Sequence, residues 1–154
     1  MATQKLLLPY HFTHLDQKAL DFVTNTFGKS ENIAVTVFHA YTPIPEIDTD
    51  ATSVTGKLKG SLSYLSQKIK EYEALLDEVK DKLIEGGFPE NRVDCIFRPR
   101  KKDIASEIIE LATSDKFDII VLNRKHARVT RFFSGSISHK VVMTLKDITV
   151  CIVS

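Results

Sequence analysis

The chain has 154 residues, of which 43% are hydrophobic and 27% charged, with a formal net charge of +1. That size and balance describe one globular domain over residues 1–154 with a real core, and they argue against disorder and against a multidomain architecture. A net charge so close to zero supplies no global drive toward nucleic acid or an anionic membrane, so any such affinity must come from a local cluster.

The start, Met1 to Lys5, leads into a strand-like run too short for a signal sequence or a bilayer span, which predicts a cytoplasmic protein without membrane contact. Lys5 to Pro9 is the first strand. Thr13 can cap a helix with Asp16 three residues on; that helix carries Leu15, Ala19, Phe22, Val23 and Phe27 on one face and stops at Gly28. Ile33 to Tyr41 is a second strand. The polar, acidic stretch from Thr42 to Gly60 has few apolar anchors and reads as an insertion loop.

A long amphipathic helix follows, presenting Leu62, Leu65, Ile69, Tyr72, Leu76, Val79 and Leu83 before Gly86, Gly87 and Pro89 end it. Val93 to Phe97 is a third strand, and Asp103 starts a helix bearing Ile104, Ile108 and Leu111. The fourth strand spans Phe117 to Leu122. After it come a basic loop, a last helix opened by Gly135-Ser136-Ile137-Ser138, and a terminal strand from Ile148 to Val153. Cys95 and Cys151 sit inside apolar strand-like runs without metal-ligand spacing, which predicts buried, inert thiols.

Strands separated by helix-sized segments imply right-handed crossovers, hence an α/β fold: an open, Rossmann-like, five-stranded parallel sheet with helices on both faces. In the order 3-2-1-4-5 the strand order reverses between the first and fourth strands, and ligands bind beyond the carboxyl ends at such a reversal. The loops there are Tyr10 to His14 and Asn123 to Ser136. The glycine-serine helix start therefore falls where a phosphate would meet the unpaired amides at a helix's positive end.

Those same residues carry a family resemblance. The first strand ends Pro9-Tyr10-His11-Phe12-Thr13, where universal stress proteins typically have Pro-Val-Asp-Phe-Ser. The family's fourth strand ends in Gly-x-x-Gly, then nine residues, then Gly-Ser or Gly-Thr. Here Asn123 and His126 stand in the two early glycine positions, eight residues (Ala127 to Ser134) follow, and Gly135-Ser136 matches. Ser136 to Val141 resembles the family's Ser-Val-Ser-Glu-Lys-Val, and the likeness runs end to end. It implies an adenine nucleotide, ATP with Mg, held by Pro9, His11, His39, Asn123, His126, Gly135, Ser136 and Ser138. It also implies a homodimer formed through the terminal strand, residues 149–153. Members lacking the full glycine pattern often act as nucleotide-free regulatory or interaction modules in the stress response, with a protein partner the sequence does not identify.

The substitutions trade shape for charge. Asparagine tolerates the left-handed backbone region, so Asn123 can keep a glycine's turn, while His126 fits it less well. Arg124, Lys125, Arg128 and Arg131 add donors that can assist a phosphate. Each feature also has a bland account: Gly135-Ser136 as a plain helix cap, and the basic runs at 124–131 and 98–102 as solvated loops. Without interleaved aromatics those runs argue against nucleic acid.

His11 and His126 could face each other across the reversal as a metal or pH-sensitive anion site. The lack of cysteine or carboxylate ligands at suitable spacing favours ordinary loop histidines. A rival reading pairs His11 with His14, whose spacing resembles the His-x-Gly-His of adenylyl-transferring enzymes; Thr13 in place of the glycine weakens it. No residue is placed to activate water, so regulation is expected rather than catalysis, with slow ATP hydrolysis at most.

Overall fold

The computed structural model describes residues 2–45, 56–124 and 136–154. Its elements are β1 (Gln4–Pro9), α1 (Asp16–Phe27), β2 (Ile33–Tyr41), α2 (Gly56–Glu85), β3 (Val93–Pro99), α3 (Ile104–Ser114), β4 (Ile119–Asn123), α4 (Ile137–Thr144) and β5 (Thr149–Val153). The five strands form one parallel sheet in the order β3-β2-β1-β4-β5, the order the sequence predicts.

The alternation of side chains along β1 divides the core in two. Leu6 and Leu8 point to the face covered by α1 and α2, where they meet Ala19, Leu20, Val23, Leu76, Val79 and Leu83. Leu7 points to the face covered by α3 and α4, against Ile108, Leu111, Ile120 and Val141. Helices on one face during the walk from β1 to β3, and on the other from β3 through β4 to β5, are what right-handed crossovers require. Both faces of β1 are sealed, which is why its centre is an unbroken run of leucines.

Two boundaries and the burial of the cysteines differ from expectation. The first five residues of α2, Gly56 to Gly60, were expected to close the insertion loop and are helical instead. Leu58 continues the i, i+4 stripe with Leu62, and exposed Gly56 and Gly60 weaken a helix without forbidding it. Thr42 to Pro45 lack regular structure, and the remainder of that stretch, 46–55, lies outside the described residues. The fourth strand begins at Ile119 rather than Phe117, because Lys116 turns the chain at φ 53° and the Asp118 carboxylate takes the Lys5 amide at 2.8 Å. Cys95 and Cys151 are half-buried rather than sealed in; burial still pushes the Cys95 thiol up to about 11, which keeps it protonated and unreactive.

No helix among the described residues is long and apolar enough to cross a membrane.

Candidate functional site

The β1–α1 turn is organised by one carboxylate. Asp16, 1% exposed at the first position of α1, accepts hydrogen bonds from the His11 amide (3.1 Å), the Thr13 amide (2.7 Å) and the Thr13 hydroxyl (3.2 Å). Its other oxygen accepts from the side-chain amide of Asn123 at the end of β4. The expected cap is thus reversed: Thr13 does not cap α1, the N-cap position is Leu15, and Asp16 serves as acceptor for the turn. Between the two donating amides Phe12 adopts φ 60°, a left-handed conformation uncommon for a bulky side chain, which aims both N–H groups at one point. Converging amides of this kind form a nest for anions, and here the protein's own carboxylate fills it.

The strain at Phe12 also directs its ring. It stacks on Tyr72 of α2 at 4.9 Å and meets the ring of His39 edge-on at 4.8 Å. His39, 8% exposed, engages the Tyr10 carbonyl through Nδ1 at 2.7 Å and stacks on Phe97. The His11 ring lies 6.4 Å from that of His39. Burial lowers the pKa of both imidazoles below the ordinary histidine value, more than the nearby Asp16 charge raises it. Both rings are therefore neutral near pH 7, and neither supplies positive charge for a phosphate. His14 is exposed on the turn into α1.

On the opposite face, α4 begins beside the N-terminus of α3. Ser136 is the N-cap of α4: its hydroxyl accepts from the His139 amide at 3.4 Å and shares a hydrogen bond with Ser138 at 2.9 Å. Lys140 reaches both oxygens of Asp103, the N-cap of α3, at 3.2 Å, and the Ser106 hydroxyl at 2.8 Å. Hydrogen bonds from Ser106 and Lys140 hold the Asp103 carboxyl well below the usual carboxylate range. An open cleft of about 480 Å³ lies here, with Thr42 and Arg100 on its other wall.

The loop after β3, expected to be a solvated basic run, is held from inside. Glu107, 5% exposed, accepts from the amides of Lys101 (2.8 Å) and Lys102 (2.9 Å) and lies 3.8 Å from the Arg98 guanidinium. Burial alone would raise its pKa, but the two amides and the arginine outweigh it and leave the carboxyl below its ordinary value.

The sequence-predicted residues therefore divide. His11, His39 and Asn123 are committed to internal contacts at the α1/α2 face. Asn123 is an ordinary strand residue and does not adopt the glycine-like left-handed turn expected of it, because its side chain is drawn to Asp16. Pro9 is buried at the end of β1, while Ser136 and Ser138 open α4. Arg124 is exposed, and its amide donates to the Val153 carbonyl at 2.9 Å. Lys125, His126, Arg128, Arg131 and Gly135 lie outside the described residues, and with them the His11–His126 pairing. Among the described residues, no group of three or more histidine, cysteine, aspartate or glutamate side chains could hold a metal ion. Asp16, Glu107 and Arg100 were not singled out as site residues from sequence; the Thr-x-x-Asp spacing was the available sign for Asp16.

Residues 2–151 match the Universal stress protein family. No curated protein matches the sequence. The fold is shared with solved structures at low identity. A universal stress protein in complex with cAMP has 19% identity and a TM-score of 0.66, covering 99% of this chain and 98% of that one. The universal stress protein from Archaeoglobus fulgidus in complex with dAMP has 14% identity and a TM-score of 0.64, covering both chains fully. The universal stress protein UspA from Lactobacillus plantarum has 15% identity and a TM-score of 0.70, covering 100% of this chain and 99% of that one. With a family match across nearly the whole chain, the chain belongs to the universal stress protein family.

Proposed function

We propose that the chain is a regulatory module that binds an adenine nucleotide at the carboxyl ends of the strands, with the phosphate at the start of α4. The observation that carries this reading is the Ser136-capped N-terminus of α4, which opens on a cleft lined by the residues just beyond β2 and β3 and by the start of α3. The cAMP and dAMP complexes of structural neighbours support the choice of an adenine nucleotide. In this reading the amides of Gly135, Ser136 and Ser138 and the two serine hydroxyls take the phosphate. ATP with Mg is the form that the sequence resemblance favours. Pro9, at the end of β1, is proposed to border the base, and the basic residues Arg124, Lys125, Arg128 and Arg131 to assist the phosphate.

A titration calorimeter loaded with purified protein, checked first for carried-over nucleotide, tests this with Mg-ATP, AMP and cAMP in turn. Saturable heat is expected with at least one of them, and Gly135→Val should abolish it. Absence of heat at millimolar nucleotide sinks the reading.

A second reading, a nucleotide-free interaction module, draws on the Asp16 network. The amides of the β1–α1 turn are already satisfied by the protein's own carboxylate, so that half of the site needs no ligand for its stability. Either module is proposed to work as a homodimer. Among the described residues β5 pairs only with β4, which leaves its outer edge unpaired, and Ile152, Val142 and Met143 are exposed, Met143 at 71%. Apolar edge strands are normally covered. Sedimentation should give a dimer, shifted toward monomer by Ile152→Lys; a monomer for the unmodified chain at all concentrations would count against it.

A further inference from the structure

We propose that Arg100 is the cation that grips the phosphate in the cleft at the start of α4, so that the β3–α3 loop, and not only the glycine-serine turn, forms the phosphate site. This rests on the nucleotide reading above and adds a residue to it.

The cleft needs a positive charge, and His11 and His39, which pack at the α1/α2 face, do not line it. Among the described residues two cations line it, Arg100 and Lys140. Lys140 is neutralised by Asp103, with both carboxylate oxygens at 3.2 Å. Among the described residues Arg100 has no such partner. Its Nε donates to the Thr42 hydroxyl at 3.2 Å and its Nη1 to the Lys102 carbonyl at 3.5 Å, both neutral acceptors. A guanidinium carries five N–H groups in a fixed fork, so three remain uncommitted, including both on Nη2. That geometry suits two parallel hydrogen bonds to a phosphate.

The cation is also preorganised. The Arg100 amide donates to the Tyr41 carbonyl at 2.8 Å, which locks its backbone to the end of β2. The next two amides are clamped by buried Glu107, and Arg98 on the other side lies over the Phe38 ring and beside the same carboxylate. Little loop entropy remains to be lost when a phosphate docks. Thr42 orients the guanidinium, and Ser136 and Ile137 form the opposite wall. Asp103 lines the cleft too; its ion pair with Lys140 cancels its repulsion and leaves Arg100 as the uncompensated charge among the described lining residues.

The test uses the full chain with AMP and, separately, inorganic pyrophosphate, each titrated against wild type, Arg100→Gln, Arg100→Lys and Thr42→Val, with a thermal melt of each variant. Arg100→Gln should weaken AMP binding about tenfold or more, the value of a lost charged hydrogen-bond pair. It should also flatten the dependence on salt and leave the melting temperature unchanged. Arg100→Lys should restore part of the affinity, and Thr42→Val should lose less than Arg100→Gln. Equal AMP affinity for wild type and Arg100→Gln overturns the role of Arg100 while the nucleotide reading stands. Pyrophosphate binding that is lost in Arg100→Gln, in a wild type blind to AMP, keeps Arg100 as the phosphate grip and overturns the nucleotide. Binding of neither probe by wild type overturns both.

Discussion

Replacing Asp16 with alanine is expected to lower the stability of the protein by about 3 kcal/mol, read as a drop in the urea midpoint at unchanged slope. The reason is the number of donors that lose their acceptor together: the amides of His11 and Thr13, the Thr13 hydroxyl and the Asn123 side-chain amide. Donors left unpaired in a buried turn cost more than the net worth of the bonds they made. The left-handed conformation of Phe12 adds to the loss, since the strain of a non-glycine residue there persists only while its surroundings impose it.

Asp16→Asn separates charge from shape. It fits the same space but presents an NH₂ to at least one donor, so it should cost about 2 kcal/mol, nearer to alanine than to wild type. The two changes should also loosen the Phe12–Tyr72 stack, visible as a change in near-ultraviolet circular dichroism. If Asp16→Ala unfolds within about 0.5 kcal/mol of wild type, the carboxylate is not what holds the turn.

Gly87→Val should be equally damaging, by about 3 kcal/mol and a fall in melting temperature on the order of 10 °C. Gly87 sits at φ 117°, a conformation L side chains rarely adopt, and a Cβ there would lie 2.6 Å from the Gly28 carbonyl oxygen. The C-terminal ends of α1 and α2 abut at this point. A Cβ on Gly28 would collide with the backbone oxygens of Thr24 and Gly86, and one on Gly86 with the Thr24 side chain. The junction fixes where α2 leaves the sheet, and so where Tyr72 meets Phe12 and His39. Gly60→Ala is the internal control. Nothing lies within 4 Å of a Cβ on that helical glycine, so the change should stabilise by up to about 1 kcal/mol. A Gly87→Val protein that melts with wild type would show that the backbone there relaxes to an ordinary φ.

The nucleotide and Arg100 experiments bear on the same cleft from two directions. The glycine-serine turn supplies backbone donors, which are uncharged, whereas Arg100 supplies charge. Loss of the first removes shape complementarity, and loss of the second removes salt-dependent attraction. A protein that has exchanged flexible glycines for Asn123 and His126 gains most from a cation already held in place, as the Glu107-clamped loop holds Arg100.

The sequence by itself determined the architecture of this protein. Alternating apolar runs and helical periods, the paired glycines after α2 and the leucine-filled first strand led to the parallel sheet, because periodicity is a local property imposed by burial, while the strand order was an expectation that the periodicity did not itself contain. The sequence placed a candidate site between the ends of the first and fourth strands, whereas the cleft at the start of α4 is lined by residues beyond β2 and β3. Only the tertiary structure decided what individual polar residues do. Asn123 and Asp16 are 107 positions apart, and their bond exists because β4 lies beside β1. That bond turned an expected backbone substitute for glycine into a side-chain tether. Arg100 read as one cation of a solvated run, because neither the buried carboxylate of Glu107 nor the Thr42 hydroxyl from another strand end is visible as a local pattern. Charge and neutrality at a site depend on which groups long-range folding brings within a few ångströms and on how far it removes them from water.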